Sequence, residues 1–262
     1  MIKLGIISPR HDAEGLKWVR DLGLGYAEFD VNGDDISYLD ADAVNAGIKE
    51  TGVSLSAVGR WGRNRILPDG SICKKEQKDE FDLIDFCRAT GCPVYITGCN
   101  YNEGLSYYEN LTAAINYFSS LLDYAGDDVK ICTYNCHWNS FVDTPAVWDV
   151  IHGHLKKLGI KFDPSHTISG GRNWQDEAVK YGSRFYHMHV KGTIDIGGGR
   201  FDDPPAGLDS VNWGALVSIM LKHGYDGVMS IEPHSETWQG ELGEKGLKYS
   251  IKFMKHLLFI ED

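Results

Sequence analysis

The sequence predicts an α/β chain folded as a single (β/α)8 barrel. Short β-rich runs alternate with stretches of helical spacing, and eight such pairs can be drawn. Several of the helical stretches stop at a glycine, the usual end of a helix. The chain is 262 residues long with 42% hydrophobic residues, enough for one barrel and its core. An open doubly wound sheet is the alternative. No GxGxxG follows the first strand and no GxxxxGK[ST] occurs, so the nucleotide-binding versions of that alternative lose support.

In order, the strand KLGIIS (3–8) leads into the helical stretch AEGLKWVRDLG, and YAEFDV (26–31) into DADAVNAGIKETG. VSLSAVG (53–59) precedes KEQKDEFDLIDFCRATG, and PVYITG (93–98) precedes SYYENLTAAINYFSSLLDYAG. VKICTYN (129–135) is followed by PAVWDVIHGHLKKLG, and IKFD (160–163) by NWQDEAVKYG. FYHMHV (185–190) runs into the segment 192–210, whose Gly and Pro content reads as a long loop of the kind that serves as a lid, and then into VNWGALVSIMLKHG. GVMSIE (227–232) and a closing EKGLKYSIKFMKHLL complete the series. No internal repeat, low-complexity tract or linker divides residues 1–262, so one domain is expected.

The formal charge is −11 and no Lys/Arg run is present, which argues against a nucleic-acid partner. No stretch approaches the roughly 18 apolar residues of a membrane span. The opening MIKLGIISPR lacks the form of a signal peptide, so a cytoplasmic location is expected. Six cysteines show no CxxC pair or disulfide spacing and read as reduced thiols.

The polar residues are the informative part. In FYHMHVKG, strand alternation places His187, His189 and Lys191 on one face. Glu28 and Asp30 end the second strand, Asn135 and His137 the fifth, Asp163 and His166 the sixth, and Glu232 and His234 the eighth. In a barrel these positions gather at the C-terminal mouth, where active sites lie. Each has an ordinary reading, Asp163 as a helix cap and the histidines as core residues. Together they point to a bound divalent cation, because uncompensated buried charge is costly.

The stretches DPSH (163–166), RFYHMHVKG (184–192) and GYDGVMSIE (224–232), in that order and spacing, resemble the sugar isomerase/epimerase-like branch of the xylose-isomerase-like TIM barrels. The resemblance implies metal ligation by Asp163, His189 and Glu232, with His166 and Arg184 or Lys191 near the substrate. It also implies one divalent metal ion, Mn2+ first, with Mg2+, Co2+ or Zn2+ as alternatives. The family usually draws a fourth ligand, a Glu, from strand five. Here YNCHW puts Asn135 there, with His137 two residues on.

That departure bears on mechanism. An Asn has no ionisation near neutral pH and cannot act as a general base, whereas a histidine can. The expected activity is a metal-dependent sugar isomerase or epimerase that removes a proton next to a carbonyl through an enediolate. Glu232 is the expected base, with His137 or His166 as partner. His187, Glu28, Lys191, Arg184, Trp61 and Trp138 are expected at the substrate. Elimination from a keto-sugar, keto-polyol or 3-keto-glycoside is the alternative, and a non-catalytic sugar- or metal-binding barrel is a third. A small carbohydrate is the expected partner, and family habit suggests a homo-oligomer.

Overall fold

The computed structural model describes residues 1–261. Its strands are β1 (Lys3–Ile7), β2 (Tyr26–Asp30), β3 (Ser54–Gly59), β4 (Val94–Thr97), β5 (Lys130–Tyr134), β6 (Gly159–Phe162), β7 (Phe185–Val190), β8 (Ile194–Ile196), β9 (Gly199–Asp202) and β10 (Val228–Ile231). All but β8 and β9 pair in parallel and close into a barrel, in sequence order round the ring. β10 completes the circle, in register with β1 from Lys3↔Val228 to Ile6↔Ile231 and with β7 at Ser230↔His189.

The helices are α1 (Ala13–Asp21), α2 (Ala41–Thr51), α3 (Lys74–Thr90), α4 (Tyr107–Ala125), α5 (Pro145–His154), α6 (Pro164–Ser169), α7 (Trp174–Tyr181), α8 (Trp213–Lys222) and α9 (Gly240–Leu257). Local sequence sets their ends. Asp12 and Asp40 accept from the first-turn N–H groups of α1 and α2, and Ser106 with Glu109 forms a capping box on α4. Gly52 and Gly91 stop α2 and α3 in the left-handed region. None of the helices is long and apolar enough to cross a membrane.

Two segments differ from the sequence reading. Between β6 and β7 there are two helices rather than one. Asp163 caps α6 and Pro164 opens it with a preset φ, and Gly170 and Gly171 end it after six residues. The segment 192–210, read as irregular, contains an antiparallel hairpin of β8 and β9. Its two-residue turn is Gly197–Gly198, with φ of 67° and 85°, which is the backbone a tight hairpin requires and side chains resist.

Most of the core lies between the ring of strands and the helices. A smaller cluster, Ala57, Trp61, Val94, Ile96, Cys132 and Tyr134, fills one side of the barrel interior. Two glycines make room for it. A Cβ at Gly59 would lie 1.7 Å from the Trp61 ring, and one at Gly98 2.5 Å from the Tyr134 hydroxyl.

Candidate active site

Strand alternation delivers His187, His189 and Lys191 to the barrel interior from β7, and Lys161 from β6; all four are buried. Glu28 of β2 stands between the two histidines, accepting from His187 Nε2 at 2.7 Å and from His189 Nε2 at 2.9 Å. His189 Nδ1 donates to Glu232 Oε2 at 2.7 Å, just past β10. Lys191 Nζ lies 3.5 Å from Asp163 Oδ2 and 3.8 Å from Glu232 Oε1, and donates to His166 Nε2 at 3.1 Å.

Asp163 does two things at once. Its Oδ1 accepts from Ser165 N at 2.9 Å and caps α6, while its Oδ2 is buried with no hydrogen-bond partner. Asn135 fixes this arrangement. Its side-chain oxygen accepts from Asp163 N at 3.0 Å, and its nitrogen donates to Asp163 O at 2.8 Å.

The charges sort themselves by neighbour. Burial works against ionisation of Glu28, yet the two imidazoles hold it well below the usual carboxylate range. Asp163 and Glu232 are likewise held down against burial, mainly by Lys191. His189 keeps its proton despite burial because Glu28 and Glu232 face its two nitrogens, which lifts it to about 9. Burial and the nearby lysines push His166 down to about 3, so it is neutral and accepts from Lys191. Burial, then the charge of Glu28, raises Asp30 well above the usual carboxylate range.

A cavity of about 390 Å3 opens over these groups, lined by Asp30, Lys161, His166, His189, Lys191 and Glu232 below. Trp61, Cys136 and Trp138 form one wall, and Arg200 and His234 the rim. Trp61 stacks on Tyr134 at 5.6 Å and faces His189 at 6.2 Å, so the wall is fixed. Arg60, Arg63 and Arg65 hold the Trp61 loop through ion pairs with Glu76, Asp79 and Glu80.

Of the residues singled out from sequence, Asp163, His166, His189, Lys191, Glu232, Trp61 and Trp138 come together at this mouth. Five others require correction. Asn135 is committed at both ends of its amide to the Asp163 backbone, so it holds Asp163 in place and does not line the cavity. His137 lies outside the cavity, 67% exposed and paired with Asp143. Arg184 sits at the opposite end of β7, donating to the carbonyls of Lys156, His152, Leu155 and Leu158. Glu28 and His187 are sealed beneath His189 and touch no cavity, or only the one at the far end of the barrel.

Lys161 and Arg200 were missed. Lys161 had a signal, since KFD places it two residues before Asp163 on the same strand, the spacing that singled out His187, His189 and Lys191. Arg200 had none, because an unrecognised hairpin carries it.

Asp163, His189 and Glu232 bring one donor atom each to within 4.8 Å of one another. Two carboxylates and an imidazole suit a divalent cation of the Mn2+ or Mg2+ to Zn2+ range, and Asp163 Oδ2, which has ion-pair contacts but no hydrogen bond, is an atom such an ion would satisfy. The residues therefore fit a metal. The group Glu28, His187 and His189 offers one carboxylate and two imidazoles, but both Glu28 oxygens are spent on the hydrogen bonds already described. They act as outer support: Glu28 fixes the His189 ring through Nε2 and leaves Nδ1 toward Glu232.

A closed parallel barrel with carboxylates and imidazole at its C-terminal mouth defines the class. The chain belongs to the xylose isomerase-like TIM barrel family, whose pattern it matches over residues 16–257. No curated protein matches at a significant level. Among solved structures it is similar to D-psicose 3-epimerase from Clostridium cellulolyticum H10 with D-tagatose, at a TM-score of 0.78 and 14% identity, covering 98% of this chain and 99% of that one. D-allulose 3-epimerase from Methylomonas sp. gives 0.77 at 15% identity, covering 98% of both chains. The 3-keto-D-glucoside 4-epimerase from E. coli gives 0.76 at 14% identity, covering 98% and 100%. At such identity the likeness speaks for the fold.

Proposed function

We propose that this chain is a sugar epimerase or isomerase that removes a proton from the carbon next to a carbonyl, with a divalent cation held by Asp163, His189 and Glu232. The observation that carries the reading is the convergence of these three side chains at the barrel mouth, with Asp163 Oδ2 left without a hydrogen bond. The names of the structural neighbours support the class, since they are epimerases of carbonyl-bearing sugars.

Glu232 is the base. Its side chain is 18% exposed to the cavity while Asp163 and His189 are sealed, and Lys191 and His189 keep it ionised and ready to take a proton. When bound, the cation would polarise the substrate carbonyl and stabilise the charge that develops on its oxygen. Lys191 and neutral His166, joined by their hydrogen bond, form the second proton-handling pair in place of His137. Trp61 and Trp138 offer flat faces to a sugar ring and exclude water on one side.

Elimination is the second reading, and the commitment of Asn135 favours it. With an amide that cannot ionise at position 135, held on the Asp163 backbone, one ionised carboxylate, Glu232, remains as a base facing the cavity. Return of the proton to the other face then depends wholly on Lys191 and His166.

The test combines metal content with exchange. After incubation with Mn2+ and desalting, wild type should retain near one metal per chain by elemental mass spectrometry and Asp163→Ala near none. In D2O, wild type should introduce deuterium beside the carbonyl of a ketose, read by proton NMR. Retention of metal by the variant, or exchange that survives in it, would remove the assignment.

A further inference from the structure

Two of the cations at the cavity, Lys161 and Arg200, have donors that no protein carboxylate uses up. Lys161 is 1% exposed, and among the described residues its ammonium has no hydrogen-bond partner; the nearest carboxylate oxygen is Asp163 Oδ2 at 3.7 Å. The side chain is buried but borders the cavity, so a group that enters can take up these donors in place of water. Lys191 adds a second cation beside it.

A third cation comes from the hairpin. Arg200 stands on β9 at the rim of the same cavity, and its Nη1 lies 3.1 Å from Oδ2 of Asp203. Asp203 is 1% exposed and also accepts from His234 Nδ1 at 3.2 Å. One buried carboxylate therefore seats an arginine and a histidine side by side over the mouth. The remaining guanidinium donors of Arg200 have no protein partner among the described residues. A half-exposed arginine held by a buried acid, with a free donor edge on a cavity that contains two buried lysines, is a receptor for an anionic oxygen group.

We propose that the substrate of this site carries an acidic group, a carboxylate or a phosphate, at the end away from its carbonyl, and that Arg200 receives it. The inference deepens the sugar epimerase reading and rests on it for the sugar, but the acid site can be tested without turnover. D-fructose, D-fructuronate and D-fructose 6-phosphate differ only at the terminal carbon. Calorimetric titration of the three into the Mn2+-incubated protein and into the metal-free protein compares them directly.

At least one of the two acids should bind tenfold or more tightly than D-fructose, the preference should weaken as salt rises, and Arg200→Gln should abolish it. Which acid wins distinguishes carboxylate from phosphate. Arg200 lies on an exposed hairpin, so the variant is expected to fold, and its melting temperature checks this. No gain from the acid group, whether through equal binding or through no binding at all, overturns the proposal. So does a preference that survives in Arg200→Gln. An acid preference that depends on Arg200 without deuterium exchange in any sugar would keep the acid site and remove the epimerase reading; exchange in neutral ketoses without that preference would do the reverse.

Discussion

The two sides of the barrel interior share one hydrogen-bonded ring and differ in almost everything else. On β3, β4 and β5 the inner residues Ala57, Val94, Ile96, Cys132 and Tyr134 pack with Trp61 into an apolar cluster. On β2, β6 and β7 they are Glu28, Lys161, His187 and His189, with Lys191, Asp163 and Glu232 above. The apolar side gains about 25 cal/mol for each Å2 it removes from water. The ionised side gains little net, because attraction between its charges is offset by their loss of hydration. Its value is chemical, and the apolar side and the outer shell stabilise the barrel around it.

The comparison breaks hardest at Glu28. Replacing it by Ala leaves two buried imidazoles without their shared acceptor, and removal of one partner from a buried charged set costs about 3–5 kcal/mol. Glu28→Ala should lower unfolding stability by that amount in urea titration. It should also weaken metal retention about 10- to 100-fold, because Glu28 orients His189. A loss below about 1 kcal/mol would mean that the ionised side does not depend on its internal pairing.

Ile96→Ala makes the matching test on the apolar side. Ile96 is fully buried, and truncation there should cost about 3 kcal/mol through lost burial and a cavity. Metal retention should be unchanged, since no proposed ligand touches the cluster's β4 residues. If metal content fell with stability, the two sides would not be separable.

The same division explains what could be read in the sequence. The barrel was legible because strand and helix periods alternate along the whole chain, and the mouth because strand ends in a barrel must meet there. Strand ends and alternation in DPSH and HMHVK brought out Asp163, His166, His189 and Lys191, and the family resemblance implied their roles. What failed was the direction of single side chains near the ends of elements. His137 lies three residues beyond β5, where strand alternation no longer applies, and it turned to Asp143 in solvent. Arg184 precedes β7 and so belongs to the opposite end of the barrel, a polarity that the motif RFYHMHVKG does not display. Arg200 was hidden because three consecutive glycines read as part of a long loop when two of them form a hairpin turn.

The smallest effect separates the outer shell from the interior by pH. His152 of α5 is buried behind β5, donating from Nδ1 to Leu158 O at 3.0 Å and accepting at Nε2 from Thr133 Oγ1 at 3.1 Å. Burial, with Arg184 nearby, pulls it down to about 4. Between its unfolded value of about 6.5 and this folded value, the unfolded chain binds the extra proton, so the contribution is full above pH 6.5 and is lost as pH falls toward 4. At pH 5 the loss is about 2 kcal/mol. His189 runs the other way: its raised value makes its contribution full below pH 6.5, and it is lost as pH rises through about 9. Unfolding free energies from urea titrations of wild type and His152→Gln should therefore fall by different amounts between pH 7 and pH 5, the variant losing about 2 kcal/mol less. Equal losses in the two proteins would move the acid-sensitive group away from the outer shell and back to the ionised side of the barrel.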